Sequence, residues 1–199
     1  MYITKENLIY ICILSILFHP TDAKQYLEES YDENYCHNFK IRPYLFVPQS
    51  KLYRNIYGKV GGGIQLEQEN SINNWLRVWV NVDGLFKRGH SIGLCRKTKI
   101  GAFTLSTGIK FLYEHCKRLQ FALGVGPTIA GIFVRDQSLT CCKNSKCSGG
   151  IVAKTDLYGV VHDRLILDLF FDYTYQPVHF QRKVNVGGAK LGLGLGCTF

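Results

Sequence analysis

The last nine residues, Leu191-Gly-Leu-Gly-Leu-Gly-Cys-Thr-Phe199, restrict the fold of this chain more than any other stretch. Side chains alternate sides along a strand, so Leu191, Leu193, Leu195, Cys197 and Phe199 share one face. Gly192, Gly194, Gly196 and Thr198 share the other. One face is wholly apolar and its opposite is nearly bare. Such a strand needs cover for its apolar side, and a strand that closes a membrane barrel finds that cover in lipid.

The other terminus agrees. Met1 to Ala23 carries Lys5, an apolar run from Leu8 to Phe18, then His19-Pro-Thr-Asp-Ala23. That run is about half of the roughly 20 residues a spanning helix needs. It has the layout of a secretory signal peptide, with Thr21 and Ala23 as the small residues before cleavage. A short amphipathic or buried helix is the plainer alternative. Cys12 does not make it a lipoprotein signal, because Ile11 stands where a small residue is needed. Downstream, Asp, Glu, Lys, Arg or Gly interrupts every apolar run, so a membrane-spanning form must be a closed barrel. The expected organisation is a signal peptide (1–23), a periplasmic tail (24–39) and a barrel (40–199).

Composition fits one exported domain. Twenty glycines, 12 tyrosines and 12 phenylalanines with only five prolines suit a β-rich chain with many turns. Cleavage removes Lys5, Glu6 and Asp22, one positive and two negative charges, so the net charge of +9 becomes +10. For an exported chain this implies anionic lipid or glycan rather than nucleic acid. Of eight cysteines, Cys12 leaves with the signal; the seven that remain suit an oxidising compartment and leave at least one thiol over.

Period-two patterning marks eight strands, near 40–47, 58–69, 75–87, 99–113, 118–135, 149–161, 164–175 and 183–199. The seventh is the clearest: Leu165, Leu167, Leu169, Phe171, Tyr173 and Tyr175 oppose Ile166, Asp168, Phe170, Asp172 and Thr174. In the eighth, Val184 and Val186 break parity with Leu191 onward, which implies a bulge or a rim above the lipid. Connections alternate between short (70–74, 114–117, 162–163) and longer (48–57, 88–98, 136–148, 176–182). This is the layout of an outer-membrane barrel with short periplasmic turns and longer external loops. The soluble rival is a secreted lipocalin-like ligand-binding barrel, which packs its apolar face inward. Glu67, Arg77, Asp83, Lys110, Lys154, Asp156, Asp168 and Asp172 are poor lining for a greasy cavity, but they can pair inside a narrow lumen. An eight-stranded barrel is only wide enough for its own side chains, so these charges read as a plug rather than a porin-like pore.

The signal peptide, the eight strands and terminal Phe199 resemble the small outer-membrane barrels of the OmpA, OmpX and OmpW type. Arg42-Pro-Tyr-Leu-Phe-Val-Pro48, Leu167-Asp-Leu-Phe-Phe-Asp-Tyr-Thr-Tyr175 and Lys183-Val-Asn-Val-Gly-Gly188 are also similar to stretches of uncharacterised outer-membrane barrels of chlamydia-like bacteria. The resemblance implies an all-β, antiparallel up-and-down transmembrane barrel in a Gram-negative cell envelope. It also implies that Phe199 signals to the outer-membrane insertion machinery, and that disulfides can link the chain to neighbouring envelope proteins.

Candidate chemistry is sparse. Cys141 or Cys142 with Cys147 is the obvious local disulfide in an external loop, and Cys95 is another partner; no C-x-x-C pattern favours a metal, and no cofactor is implied. Some barrels of this type modify lipid A, but His90–Ser91 and His162–Asp163 are adjacent pairs, which point to opposite strand faces. The external side holds Lys51, Arg54, Lys59, Lys87, Arg88, Arg96, Lys97, Lys99, Arg135, Lys143, Lys146, Arg182 and Lys183 against Asp136 alone. These cations suit lipopolysaccharide phosphates in the plain reading, and anionic host glycans in the sharper one. Tyr44, Tyr57, Tyr113, Tyr173, Tyr175 and Phe199 are expected near the membrane interfaces.

Overall fold

The computed structural model describes residues 37–90, 97–116, 119–136, 143–162, 164–179 and 183–198. The expected signal peptide and most of the expected tail lie outside these residues. Alternation in sequence becomes alternation in burial. Along β1 (His37–Pro48) every second side chain from Asn38 onward is buried, and Phe39, Ile41, Leu45 and Val47 face out. The same pattern runs through β2 (Gly61–Ser71), β3 (Leu76–His90), β4 (Lys97–Cys116), β5 (Leu119–Asp136), β6 (Lys143–His162), β7 (Leu165–Tyr175) and β10 (Gly188–Thr198).

These eight strands pair antiparallel, each with its neighbour in sequence, and β10 closes the barrel against β1. The seam runs in register from Asn38↔Thr198 to Pro48↔Gly188. Closure removes every edge of the barrel sheet, which the backbone requires in lipid. Leu191, Leu193 and Leu195 point outward, with Leu193 68% exposed, while Gly192, Gly194 and Gly196 face the lumen. The apolar-inward lipocalin-like reading is thereby overturned. Here the apolar side is the outer wall.

One end carries the short turns. Between β2 and β3, Asn73 Oδ1 accepts hydrogen bonds from the backbone of Trp75 (3.1 Å) and Leu76 (2.7 Å). Trp75 stacks on Phe111 of the outer wall with the rings 9° from parallel. The other end differs from the sequence expectation in three places. Residues 48–57, read as loop, contain a helix, α1 (Lys51–Tyr57). Ser50 caps it, and Gly58 ends it at φ 84°, a left-handed conformation suited to glycine. The expected eighth strand from 183 is shorter. Its first part forms a rim hairpin in which β8 (Pro177–His179) pairs with β9 (Lys183–Asn185). That hairpin is the physical source of the broken parity at Val184 and Val186.

Third, β6 begins at Lys143 rather than 149. The long arm of β5 needs a partner for its backbone groups, so Lys146 and Cys147 pair with Ile132 and Gly131. Cys147 therefore sits on an exposed strand face rather than in a loop, and its thiol is free among the described residues. Its expected partners Cys95, Cys141 and Cys142 lie outside the described residues, as do Arg96, Arg182 and Phe199. Two of the expected interface aromatics are also corrected: Tyr44 and Tyr57 are buried in the lumen, because each falls on an inward position.

Candidate functional site

The lumen divides into two layers. Toward the loop end it is apolar. Tyr53 and Tyr57, four residues apart on one face of α1, descend onto Phe46, Leu85, Ile100 and Ile132. The ring of Phe46 meets Tyr53 edge-on, with centroids 6.1 Å apart. Burial pushes the Tyr53 phenol above its ordinary pKa. Lys87 ties the helix end to the barrel by donating to the Gly58 carbonyl at 2.9 Å. Beneath this cap, the cavity between Tyr44, Asp83, Leu85, Thr104 and Lys190 is about 30 Å³, room for one or two waters.

The lower layer is ionic. Lys110 Nζ lies 2.5 Å from Glu67 Oε1 and 2.5 Å from Asp156 Oδ2, and also contacts Glu69. Arg42 forks between Glu67 (2.8 Å) and Asp156 (3.3 Å), contacts Asp168, and stacks over Phe170. Lys154 bridges Glu67 (2.6 Å) and Asp172 (2.9 Å). Lys40 pairs with Glu69 at 2.8 Å and lies 3.6 Å from the centre of the Tyr158 ring. Lys190 pairs with Asp83 at 2.6 Å, and Arg77 reaches Glu69 at 3.3 Å from the turn end. Tyr158 Oη sits 2.7 Å from Glu69 and 2.9 Å from Asp156, stitching two of the acids together.

Six cations and six carboxylates thus meet inside the barrel among the described residues, and their charges cancel. That balance decides what the lumen can do. Glu67, Glu69 and Asp156 are close enough together to hold a metal ion, but Lys110 already sits among them. An ammonium holds the place a cation would take. With the aromatic cap above and this network below, the lumen is filled by its own side chains.

Sequence reasoning named Glu67, Arg77, Asp83, Lys110, Lys154, Asp156, Asp168 and Asp172, and the structure places all eight on this inner face. It missed Lys40, Arg42, Glu69, Lys190 and Tyr158. A signal existed for several of them: Glu69 follows Glu67 by two, and Lys190 shares parity with Gly192.

Because the lumen is neutral, the excess positive charge lies outside it. Lys51 and Arg54 on α1, Lys59, Arg88, Lys97, Lys99, Arg135 and Lys146 are all exposed at the loop end. Lys143 and Lys183 begin β6 and β9 at that end. Of the adjacent pairs weighed and set aside for catalysis, His90 stands opposite Lys97, while Ser91 and Asp163 lie outside the described residues.

A closed eight-stranded antiparallel barrel with a charged lumen and an apolar outer wall is the architecture of a small outer-membrane β-barrel protein. No protein-family model matches the sequence, and no curated protein matches it as a relative. Solved structures do. OprG of Pseudomonas aeruginosa superposes with a TM-score of 0.66 at 11% identity, covering 83% of this chain and 96% of its own. Ail, the attachment invasion locus protein of Yersinia pestis, was solved with the heparin analogue sucrose octasulfate. It matches at 0.61 and 13% identity, over 84% of this chain and 100% of its own. Neisserial surface protein A matches at 0.60 and 16% identity, over 83% of this chain and 96% of its own.

Proposed function

We propose that this chain is a bacterial outer-membrane barrel that works without catalysis, presenting a basic face to anionic groups at the cell surface. One observation carries the reading: the lumen charges cancel, while exposed cations gather at the loop end. Lipopolysaccharide phosphates are the anions nearest such a rim, and the Arg guanidinium forks match them. A second reading, contact with anionic host glycans, gains support from the heparin analogue bound to Ail. The seam strand β10, with Phe199 beyond it, is read as the segment that the insertion machinery recognises. Cys147, exposed with a free thiol, is open to an envelope partner.

Membrane placement has a direct check. Unboiled protein from the outer-membrane fraction should migrate faster on a detergent gel than boiled protein, because the closed barrel resists unfolding. Recovery only from the soluble fraction would reject the proposal. For the ligand, detergent-solubilised protein should bind a lipopolysaccharide-coated surface and lose that binding as salt rises, since exposed charges are screened. Retention on heparin at physiological salt favours the glycan reading. Salt-independent binding would show that the basic face is not responsible.

A further inference from the structure

The outward residues of β3 to β5 fall into three registered rungs near the loop end. The lowest alternates glycine and phenylalanine, Gly84↔Phe103↔Gly131. The next alternates in the opposite phase, Phe86↔Gly101↔Phe133. Above them stands a rung of cations alone, Arg88↔Lys99↔Arg135, with Lys143 next in backbone register on β6. Arg88, Lys99 and Arg135 are exposed, and no carboxylate among the described residues pairs with them. Neighbouring strands are about 4.8 Å apart, and like charges placed directly opposite one another destabilise a sheet. A rung of this kind is stabilised when an anion spans it.

Below the cations, Phe86 is 83% exposed, and Phe103 and Phe133 also project. Of the glycines between them, Gly84 leaves a hollow, since a Cβ built there meets nothing within 4 Å, while the Phe86 ring lies over Gly101 and the Phe133 ring over Gly131. Projecting rings flanking an open hollow suit extended alkyl chains. Charge above and grease below, on one wall, describe an amphiphile rather than a soluble polymer.

We propose that this wall binds a phosphorylated, multiply acylated lipid of the surrounding leaflet. Its phosphates lie along Arg88, Lys99 and Arg135, and its chains lie over the Phe–Gly surface. The site rests on the reading that the barrel sits in the outer membrane with its loop end outward.

The test uses the intact protein in phosphatidylcholine nanodiscs doped with bisphosphorylated lipid A, with retained lipid counted by native mass spectrometry. Wild type should keep lipid A and release a fully dephosphorylated analogue. The triple variant Arg88→Gln, Lys99→Gln, Arg135→Gln should bind about a hundredfold more weakly, given the usual contribution of each surface cation near anionic lipid. Gly84→Ile fills a hollow without touching the charges or the fold, and should weaken retention severalfold. Equal retention by the triple variant and wild type overturns the site. If Gly84→Ile is without effect and inorganic phosphate displaces the lipid, the rung is an anion site alone and the lipid assignment falls. A triple variant that loses lipid A in nanodiscs but still binds a lipopolysaccharide-coated surface supports the wall site and assigns the remaining binding to Lys51, Arg54 and their neighbours. If no variant or wild type binds either probe, the broader reading fails with it.

Discussion

Replacing Lys110 with methionine should destabilise the folded barrel by about 3–5 kcal/mol, the usual cost of removing one partner from a buried ionic cluster. Methionine is close in length and shape, so the loss comes from charge rather than from a cavity. Lys110 touches Glu67, Glu69 and Asp156 at once, and Tyr158 Oη lies 3.2 Å from its amine. Without it, three carboxylates face one another in the lumen with Lys40, Arg42, Arg77 and Lys154 beside them, and the network as a whole is left one positive charge short. At least one acid must then take up a proton or draw in water. Urea unfolding in phospholipid vesicles, followed by gel mobility, reads the effect. Trp79, whose ring lies 5.9 Å from the Lys110 amine, offers a fluorescence signal from the same place. Adding Glu69→Gln to Lys110→Met should recover part of the loss, since it removes one of the stranded charges. A Lys110→Met barrel within about 1 kcal/mol of wild type would mean that the cluster contributes little to stability.

That the barrel would be eight-stranded was legible from a period of two, and which face meets lipid was legible from the charges that this period gathers on the other face. Leu165 to Tyr175 shows why: five inward and six outward positions agree, so a register slip would place Asp168 and Asp172 in lipid. The lumen charges followed from the same parity. What escaped did so for separate physical reasons. Lys40 and Arg42 lie on a first strand whose alternation is mixed with prolines at 43 and 48, so parity there is weak evidence. The helix α1 is only seven residues long, and its formation depends on Tyr53 and Tyr57 finding an apolar lumen to enter. Such tertiary burial leaves no periodic trace in so short a window. The rim hairpin depends likewise on distant partners: Asn185 contacts Gln49 and accepts from the backbone of Gln176 at 2.9 Å. The cation rung is a third kind of case. Arg88 and Lys143 were assigned to external loops and Lys99 and Arg135 to the external ends of strands, and only strand register brings them side by side.

The glycines of the last strand supply the second large effect. Gly192→Val should lower stability by about 1–3 kcal/mol, and more where the closure seam cannot relax. Two opposing forces act at this position. Glycine weakens a strand interior by about 0.5–1 kcal/mol relative to alanine, and valine is among the best strand formers, so backbone preference alone favours the substitution. Packing opposes it. A Cβ at Gly192 would come within 2.2 Å of the Pro43 carbonyl oxygen and 2.8 Å of the Phe170 ring. Neither neighbour is free to yield: Pro43 belongs to β1 across the seam, and Phe170 carries the Arg42 guanidinium 4.9 Å above its ring. Steric overlap with backbone outweighs a propensity gain of that size. The sign of the change therefore separates the two accounts. Leu193→Val is the control, since it sits one residue on, faces lipid and touches nothing in the lumen; it should shift stability by less than about 1.5 kcal/mol. If Gly192→Val instead stabilises the barrel, the bare face of this strand is an accident of composition. If it destabilises as expected, the glycines are what allow a charged, self-filled lumen to close against β1.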